Sequence, residues 1–238
     1  MFRTAGVAQR FLAASIDPLS VGHLEGEDGA GSVRGVKHRS KTIRLWQEVS
    51  GMATAQQQLW EIAMDQHGFV TTDDARALGI AAYNLRFLAQ RGTLRREAHG
   101  VYRFERFPAS NADDYMQAVL WTGQPAAALS HETALDLLEL ADVNPDRVHV
   151  TVPVGARVRR RGGERIAVHE ENLRAEAVGW WQGIRCVSEL KAISQVIDAG
   201  VTQVHLVRQA VEAARARGAI TADQEAELLQ QLVMHLAR

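Results

Sequence analysis

The stretch from Thr71 to Phe104 constrains this chain most, because glycines fall where two short amphipathic helices and a strand pair must end. Thr72 reads as an N-cap, with Asp73 and Asp74 in the first turn, where negative charge suits the positive end of the helix dipole. Gly79 supplies the turn after Leu78. A second helix is predicted over about 81–91, with Ala81, Leu85, Leu88 and Ala89 recurring on one side and Gly92 ending it. Ala82, Tyr83, Asn84, Arg86, Phe87 and Gln90 are left on the other side. Leu94 to Glu97 and Val101 to Phe104 then flank a tight reversal at His99-Gly100, the pattern of a hairpin.

Two helices and a hairpin in this order read as a helix-turn-helix followed by a wing. The helix over 81–91 is the candidate recognition helix, whose amide, guanidinium and aromatic groups can reach base edges and phosphates. Tyr83, Asn84, Arg86 and Gln90 are its expected base-reading residues, and Arg95, Arg96, His99 and Arg103 the expected wing contacts. From 81 to 106 six arginines face only Glu97 and Glu105, a local positive surface of the kind phosphates require. No lysine occurs there, and arginine is the residue that forks onto guanine or enters a narrow minor groove.

The positive charge is local. The whole chain of 238 residues has a formal net charge of −1, which excludes a protein that coats nucleic acid through bulk electrostatics. Residues 108–238 carry 13 basic and 17 acidic residues, so the two halves are expected to do different jobs. The length suits two domains. The winged domain is placed at 52–107 and a second domain at 108–238. Residues 1–51 show no sustained period and are read as a flexible N-terminal extension; Met52, opening the first well-patterned helix, reads as a natural start. Cys186 is the only cysteine, which rules out an internal disulfide and fits a reducing compartment. No apolar run approaches the roughly 20 residues that cross a bilayer, and the N-terminal stretch lacks a secretory pattern. A cytoplasmic location with no membrane partner is expected.

Around the central stretch, Leu59, Ile62 and Ala63 mark a helix from 55 to 67, and Phe69-Val70 a short strand. Beyond Pro108, Ser110 with Asp113 reads as a capping box for a helix over 111–122, and Ser130 caps another carrying Ala134, Leu135, Leu138 and Ala141. Arg147 to Val152 alternates as a strand does. Hairpins are predicted for 158–161 with 165–169 about Gly162-Gly163, and for 176–180 with 184–187 about Gln182-Gly183. Helices opened by Ser188, Thr202 and Thr221 complete the chain. The expected class is α+β: an N-terminal winged helix-turn-helix plus a C-terminal domain of a small antiparallel sheet and several helices.

Catalytic and cofactor signatures are not found. There is no Walker-type lysine loop, no GxSxG elbow and no GxGxxG. His131-Glu132 opens like a helical zinc-protease motif, but Leu135 stands where the second histidine belongs. His149 and His169 lie on predicted strands and can meet in space, although strand histidines are commonly structural; neither a metal nor another cofactor is expected. Arg157, Arg159 and Arg161 form a second basic surface by strand alternation, for nucleic acid or an acidic partner, or else a solvated hairpin. Trp180-Trp181 reads as core or edge packing.

The block His99-Gly100-Val101-Tyr102-Arg103, followed by Ser130-His131-Glu132-Thr133-Ala134-Leu135, by Asp146 to Pro153 and by the helix opening at Ser188, resembles the AbiEi-family antitoxins of bacterial type IV toxin–antitoxin systems. The resemblance runs from about Ala55 to the C-terminus and leaves 1–51 without a counterpart. It implies a two-domain repressor whose winged helix binds inverted repeats upstream of its own operon. The C-terminal domain would act as antitoxin against a nucleotidyltransferase-like toxin. Two alternatives stay open: a stand-alone winged-helix regulator whose C-terminal domain senses a ligand or dimerises, and a nuclease built around Glu189 and Lys191.

Overall fold

Ala55, Leu59 and Ala63 recur every fourth residue and are all buried, which gives helix α1, over 54–65, a single inward stripe. The computed structural model describes residues 54–158 and 162–237, all within a unit spanning 46–238. The expectations for 1–51 and Met52 lie outside the described residues.

After α1 come strand β1 (Phe69–Thr71), α2 (Thr72–Ala77), α3 (Ala82–Gln90), β2 (Leu94–Ala98) and β3 (Val101–Phe104). Helix, strand, helix, helix and hairpin thus follow in the order read from the sequence. The three strands form an antiparallel sheet in the order β1-β3-β2, with Phe69 opposite Arg103 and Leu94 opposite Phe104. The cap of α2 sits one residue earlier than expected. Thr71 ends β1 in extended backbone, so its hydroxyl accepts from the Asp74 amide at 3.1 Å while the Asp74 carboxylate accepts from the Thr71 amide at 2.7 Å. The Thr72 amide donates instead to the Gly100 carbonyl at 2.9 Å, fastening the hairpin turn to the start of α2. Leu59, Val70, Ala75, Leu85, Leu88, Leu94, Tyr102 and Phe104 close one apolar core.

The remainder comprises α4 (Asp113–Thr122), β4 (Ala128–Leu129), α5 (His131–Leu137), β5 (Val148–Val152), β6 (Ile166–Glu170), a 3-10 turn (Ala175–Ala177), β7 (Val178–Trp181), β8 (Ile184–Val187), α6 (Glu189–Ala199), α7 (Val204–Ala216) and α8 (Ala222–Leu236). Its five strands lie in the order β6-β5-β4-β8-β7. This sheet is mixed, which corrects the expected antiparallel one: β5 and β6 are parallel, β4 and β8 are parallel, and only β4/β5 and β7/β8 run antiparallel. Of the hairpin expected about Gly162-Gly163, residues 159–161 lie outside the described residues, and its second arm, β6, pairs with β5 instead. The chain leaves β5 at Pro153 and re-enters at Ile166 running the same way, a crossover that local alternation of residues cannot distinguish from a hairpin. The hairpin about Gln182-Gly183 is present, and both turn residues take positive φ, 45° and 81°.

The capping residues mostly fall where the sequence placed them. Ser188 accepts from the Lys191 amide and Gly200 closes α6 in the left-handed conformation, while Thr221 and Gln224 make the expected box at α8. The Ser110 amide and hydroxyl both donate to the Asp113 carboxylate, but Ser110 Oγ accepts from Ala112 rather than from Asp113, so the expected box is not completed and α4 begins only at Asp113. Thr202 does not cap α7; its hydroxyl donates to Glu132 at 2.7 Å, and Gln203 takes the cap position. Ala192, Ile193, Val196 and Ile197 face inward from α6 and join a second apolar core with Leu129, Leu135, Val150, Val152, Val207, Val211 and Leu228. Each such buried aliphatic side chain contributes about 1.5–3 kcal/mol relative to exposure. Phe69 and Val101 also belong to this core, so strands of the first sheet touch the second. Among the described residues no helix is long and apolar enough to cross a membrane.

Candidate nucleic-acid interface

Helix α3 divides as its sequence implies. Leu85 and Leu88 are buried, whereas Tyr83, Arg86 and Gln90 are exposed, Tyr83 to 67%. Asn84 is half-buried and its Oδ1 is shielded with no hydrogen-bond partner, a rare state for a polar atom. The N-terminus of α3 has no side-chain cap and no acidic residue in its first turn; the Asn84 amide donates to the Ala81 carbonyl at 2.9 Å, and the amides of Ala82 and Tyr83 are left to solvent or to an anion.

On the hairpin, Arg95 and Arg96 are exposed. Arg95 is occupied within the wing: its Nε donates to Glu97 at 2.7 Å and its Nη1 lies 4.0 Å from Glu105. Arg96 donates to the Ala98 carbonyl at 3.3 Å and has no carboxylate partner among the described residues. A register shift between Arg96 and Ala98 bends β2 just before the exposed turn residue His99.

Arg103 departs from expectation. It was placed with the DNA contacts but is buried, 6% exposed, with its guanidinium directed at the start of the second half of the chain. Nη2 meets the Asp113 carboxylate and the Pro108 carbonyl, each at 2.8 Å, and Nη1 donates to the Phe107 carbonyl at 3.3 Å. Opposite Phe69 in the ladder, it lies on the inner side of its strand and is spent on an internal ion pair. Arg91 and Arg106, outside the expected set, are exposed and have no ion pair among the described residues; Arg91 lies over the Phe87 ring at 4.9 Å. Their positions, at the end of α3 and just past β3, were the available signal. The exposed arginines of this face without a carboxylate partner among the described residues are therefore Arg86, Arg91, Arg96 and Arg106. Of the second basic surface, Arg157 is exposed, while Arg159 and Arg161 lie outside the described residues.

A second cluster of functional groups forms in the C-terminal half. His149 on β5 and His169 on β6 do meet, with Nδ1 of the first 3.1 Å from Nε2 of the second, and His131 at the head of α5 stacks on His169 with ring centroids 3.6 Å apart. His131 was set aside in the sequence because Leu135 breaks the helical motif; its partners instead come from strands distant in sequence. Ser130 and Thr133 are completely buried, and the Thr133 hydroxyl accepts from the His149 amide at 2.9 Å. Gln195 on α6 donates to the Thr151 hydroxyl and to Glu171. Burial, then the neighbouring His169, His149 and Lys191, pushes His131 down to about 3, and burial likewise lowers His149 and His169. Burial thus favours the neutral form of each ring, and within the His149–His169 contact one ring nitrogen accepts from the other. Glu189 and Lys191 do not form a carboxylate–lysine site, since Lys191 is paired with Glu171. Trp181 packs edge-on against Tyr115, but Trp180 is 68% exposed with Arg185 beside it.

The element order, the solvent-facing α3 and the arginine-rich hairpin fit the class of a DNA-binding regulator. Residues 57–104 match the family described as "Transcriptional regulator, AbiEi antitoxin", so the AbiEi resemblance holds over this segment. In fold, the chain is similar to the crystal structure of the RV2827C protein from Mycobacterium tuberculosis, at 17% identity and a TM-score of 0.44, over 74% of this chain and 71% of that one. No curated protein matches the chain.

Proposed function

We propose that this protein is a sequence-specific DNA-binding autorepressor that also serves as antitoxin to a nucleotidyltransferase-like toxin. Residues 54–107 act as a winged helix-turn-helix and the C-terminal half as the antitoxin domain. One observation carries the reading: α3 exposes Tyr83, Arg86 and Gln90 beside a hairpin with exposed arginines, within the segment that matches the regulator family. Arg86, Arg91, Arg96 and Arg106 supply the charge that a phosphate backbone attracts, and the uncapped N-terminus of α3 offers amides to a phosphate. Tyr83, Arg86, Gln90 and the free amide of Asn84 discriminate bases, each good contact contributing about 1–3 kcal/mol. Arg95 and His99 line the wing. The family match supports the regulatory half of this proposal more than the antitoxin half.

The experiment is fluorescence-anisotropy binding of the full chain to the DNA upstream of its own gene, against scrambled DNA of equal length, across a salt series. Preference for the upstream DNA that survives moderate salt is expected. Equal, weak binding to both would overturn autorepression. For the antitoxin half, co-expression with the product of a neighbouring nucleotidyltransferase-like gene should restore growth. A second reading, a regulator whose C-terminal half senses a ligand, is favoured by the partly buried histidine cluster.

A further inference from the structure

Most polar side chains in a protein interior are satisfied by a hydrogen bond to backbone or to one neighbour. Three imidazoles gathered from three separate elements and packed ring against ring go beyond that need. His131, His149 and His169 each offer one ring nitrogen, and these three atoms lie within 4.8 Å of one another. A tetrahedral ion bound at about 2.0–2.1 Å by imidazoles sets its ligand nitrogens about 3.3–3.4 Å apart. The His149–His169 pair already stands at 3.1 Å, so only the stacked His131 ring has to tilt for all three to converge.

We propose that His131, His149 and His169 form a binding site for one divalent transition-metal ion, zinc being the natural occupant, with a fourth position open to water or a small anion. Imidazole nitrogen is the ligand type that suits zinc and its first-row neighbours, and among the described residues no carboxylate or thiolate completes the set. The surroundings are those of a held ligand set. Ser130 Oγ lies 3.0 Å from Nδ1 of His131, which leaves Nε2 as the free ring nitrogen, and the His131 backbone amide meets Gln195 Oε1 at 3.5 Å. The nearby Lys191 charge, which alone would repel a cation, is compensated by Glu171. Glu132 and Asp146 add negative charge on the His149 side.

The backbone gives a second, independent indication. His131 has φ of 51°, a left-handed conformation that non-glycine residues adopt at a cost and that concentrates at functional sites. It turns the side chain at the head of α5 toward β5 and β6, where the other two histidines stand. The inference does not depend on DNA binding, because the site lies wholly in the C-terminal half.

The test is Co²⁺ and Zn²⁺ titration of the metal-stripped full chain, purified without a histidine tag. Isothermal calorimetry would report stoichiometry, and the visible absorption of Co²⁺ would report four-coordinate geometry. One ion per chain with a dissociation constant below about 1 µM is expected, together with a tetrahedral Co²⁺ band. Affinity should fall at least tenfold in each of H131Q, H149Q and H169Q. Weaker binding by the parent chain, or a smaller loss in any of the three variants, would overturn the assignment. Because a variant could fail to fold, the side-chain ¹⁵N resonances of the unsubstituted protein provide a second readout: zinc should shift three histidines together, and any other number would overturn it.

Discussion

Nη2 of Arg103 and the carboxylate of Asp113 lie 2.8 Å apart, joining the last strand of the first sheet to the first helix of the C-terminal half. The same guanidinium holds the carbonyls of Phe107 and Pro108, so the whole connection between β3 and α4 is tied to one arginine. The Asp113 carboxylate also accepts from the Ser110 hydroxyl and amide. Removing either partner strands the other in a mostly dry setting. Arg103→Ala should destabilise the chain by about 3 kcal/mol in urea unfolding, toward the lower end of what a broken buried pair costs because Asp113 is 20% exposed. Its DNA affinity per folded molecule should stay close to the parent's. A variant that folds as stably as the parent but binds DNA poorly would return Arg103 to the interface.

Arg86 and Arg96 are both exposed and lack carboxylate partners among the described residues, yet they should fail differently. Arg86 sits on the outward side of α3, where a side chain can reach base edges. Arg96 sits on the β2–β3 hairpin, proposed above to contact the DNA backbone. Arg86→Ala should narrow the gap between operator and scrambled DNA by about 1–3 kcal/mol. Arg96→Ala should weaken both alike and reduce the slope of log K against log salt by about 0.9. Anisotropy titrations at four salt concentrations separate the two outcomes, and equal losses on both DNAs for both variants would sink this division of roles.

These assignments show what a linear pattern can and cannot convey. The 3.6-residue spacing of Leu85 and Leu88 and the stops at Gly79 and Gly92 are local, so α3 and its exposed face were readable directly. The same holds for the caps at Ser188 and Thr221. Arg103 was misplaced because alternation along a strand identifies two faces but not which one a later helix will cover. The parallel pairing of β5 with β6 was missed for a related reason: strand direction is set by how the intervening segment returns. Without that pairing, and without the antiparallel contact of Leu129 with Val150, nothing in the sequence brings His131 onto His169.

Gly68 is a position where the backbone leaves no room for any other residue. Its φ is +87°, and a Cβ there would lie 2.5 Å from the Phe107 ring. That ring packs against Trp60 and lies beneath Arg103, so it cannot swing aside freely. Gly68→Ala should therefore cost about 2–3 kcal/mol, adding the left-handed penalty to an overpacked contact, measured as a lowered thermal midpoint. Gly79→Ala is the control. Gly79 shares the positive φ, at +69°, but a Cβ there meets nothing, so only the backbone penalty of about 1–2 kcal/mol should appear. Equal losses at the two sites would mean that Phe107 yields.

Cys186 gives a prediction in pH. It is 1% exposed on β8, and burial first, then the charge of Glu189, pushes its thiol up to about 12, only partly offset by a hydrogen bond from the Val187 backbone. An unfolded cysteine ionises from about pH 8.5. Between those values the native state holds a proton that the unfolded chain has released, so stability must fall as pH rises, by up to about 1.4 kcal/mol per pH unit. Below the unfolded value the contribution is fully present. Urea midpoints measured from pH 8 to 11 should decline more steeply for the parent than for Cys186→Ala, whose absolute stability will be lower. The same burial should leave the native thiol unreactive toward iodoacetamide at pH 8, with alkylation only at the rate of unfolding. Parallel pH profiles for the two proteins, or prompt alkylation under native conditions, would show that β8 opens far more readily than its packing implies.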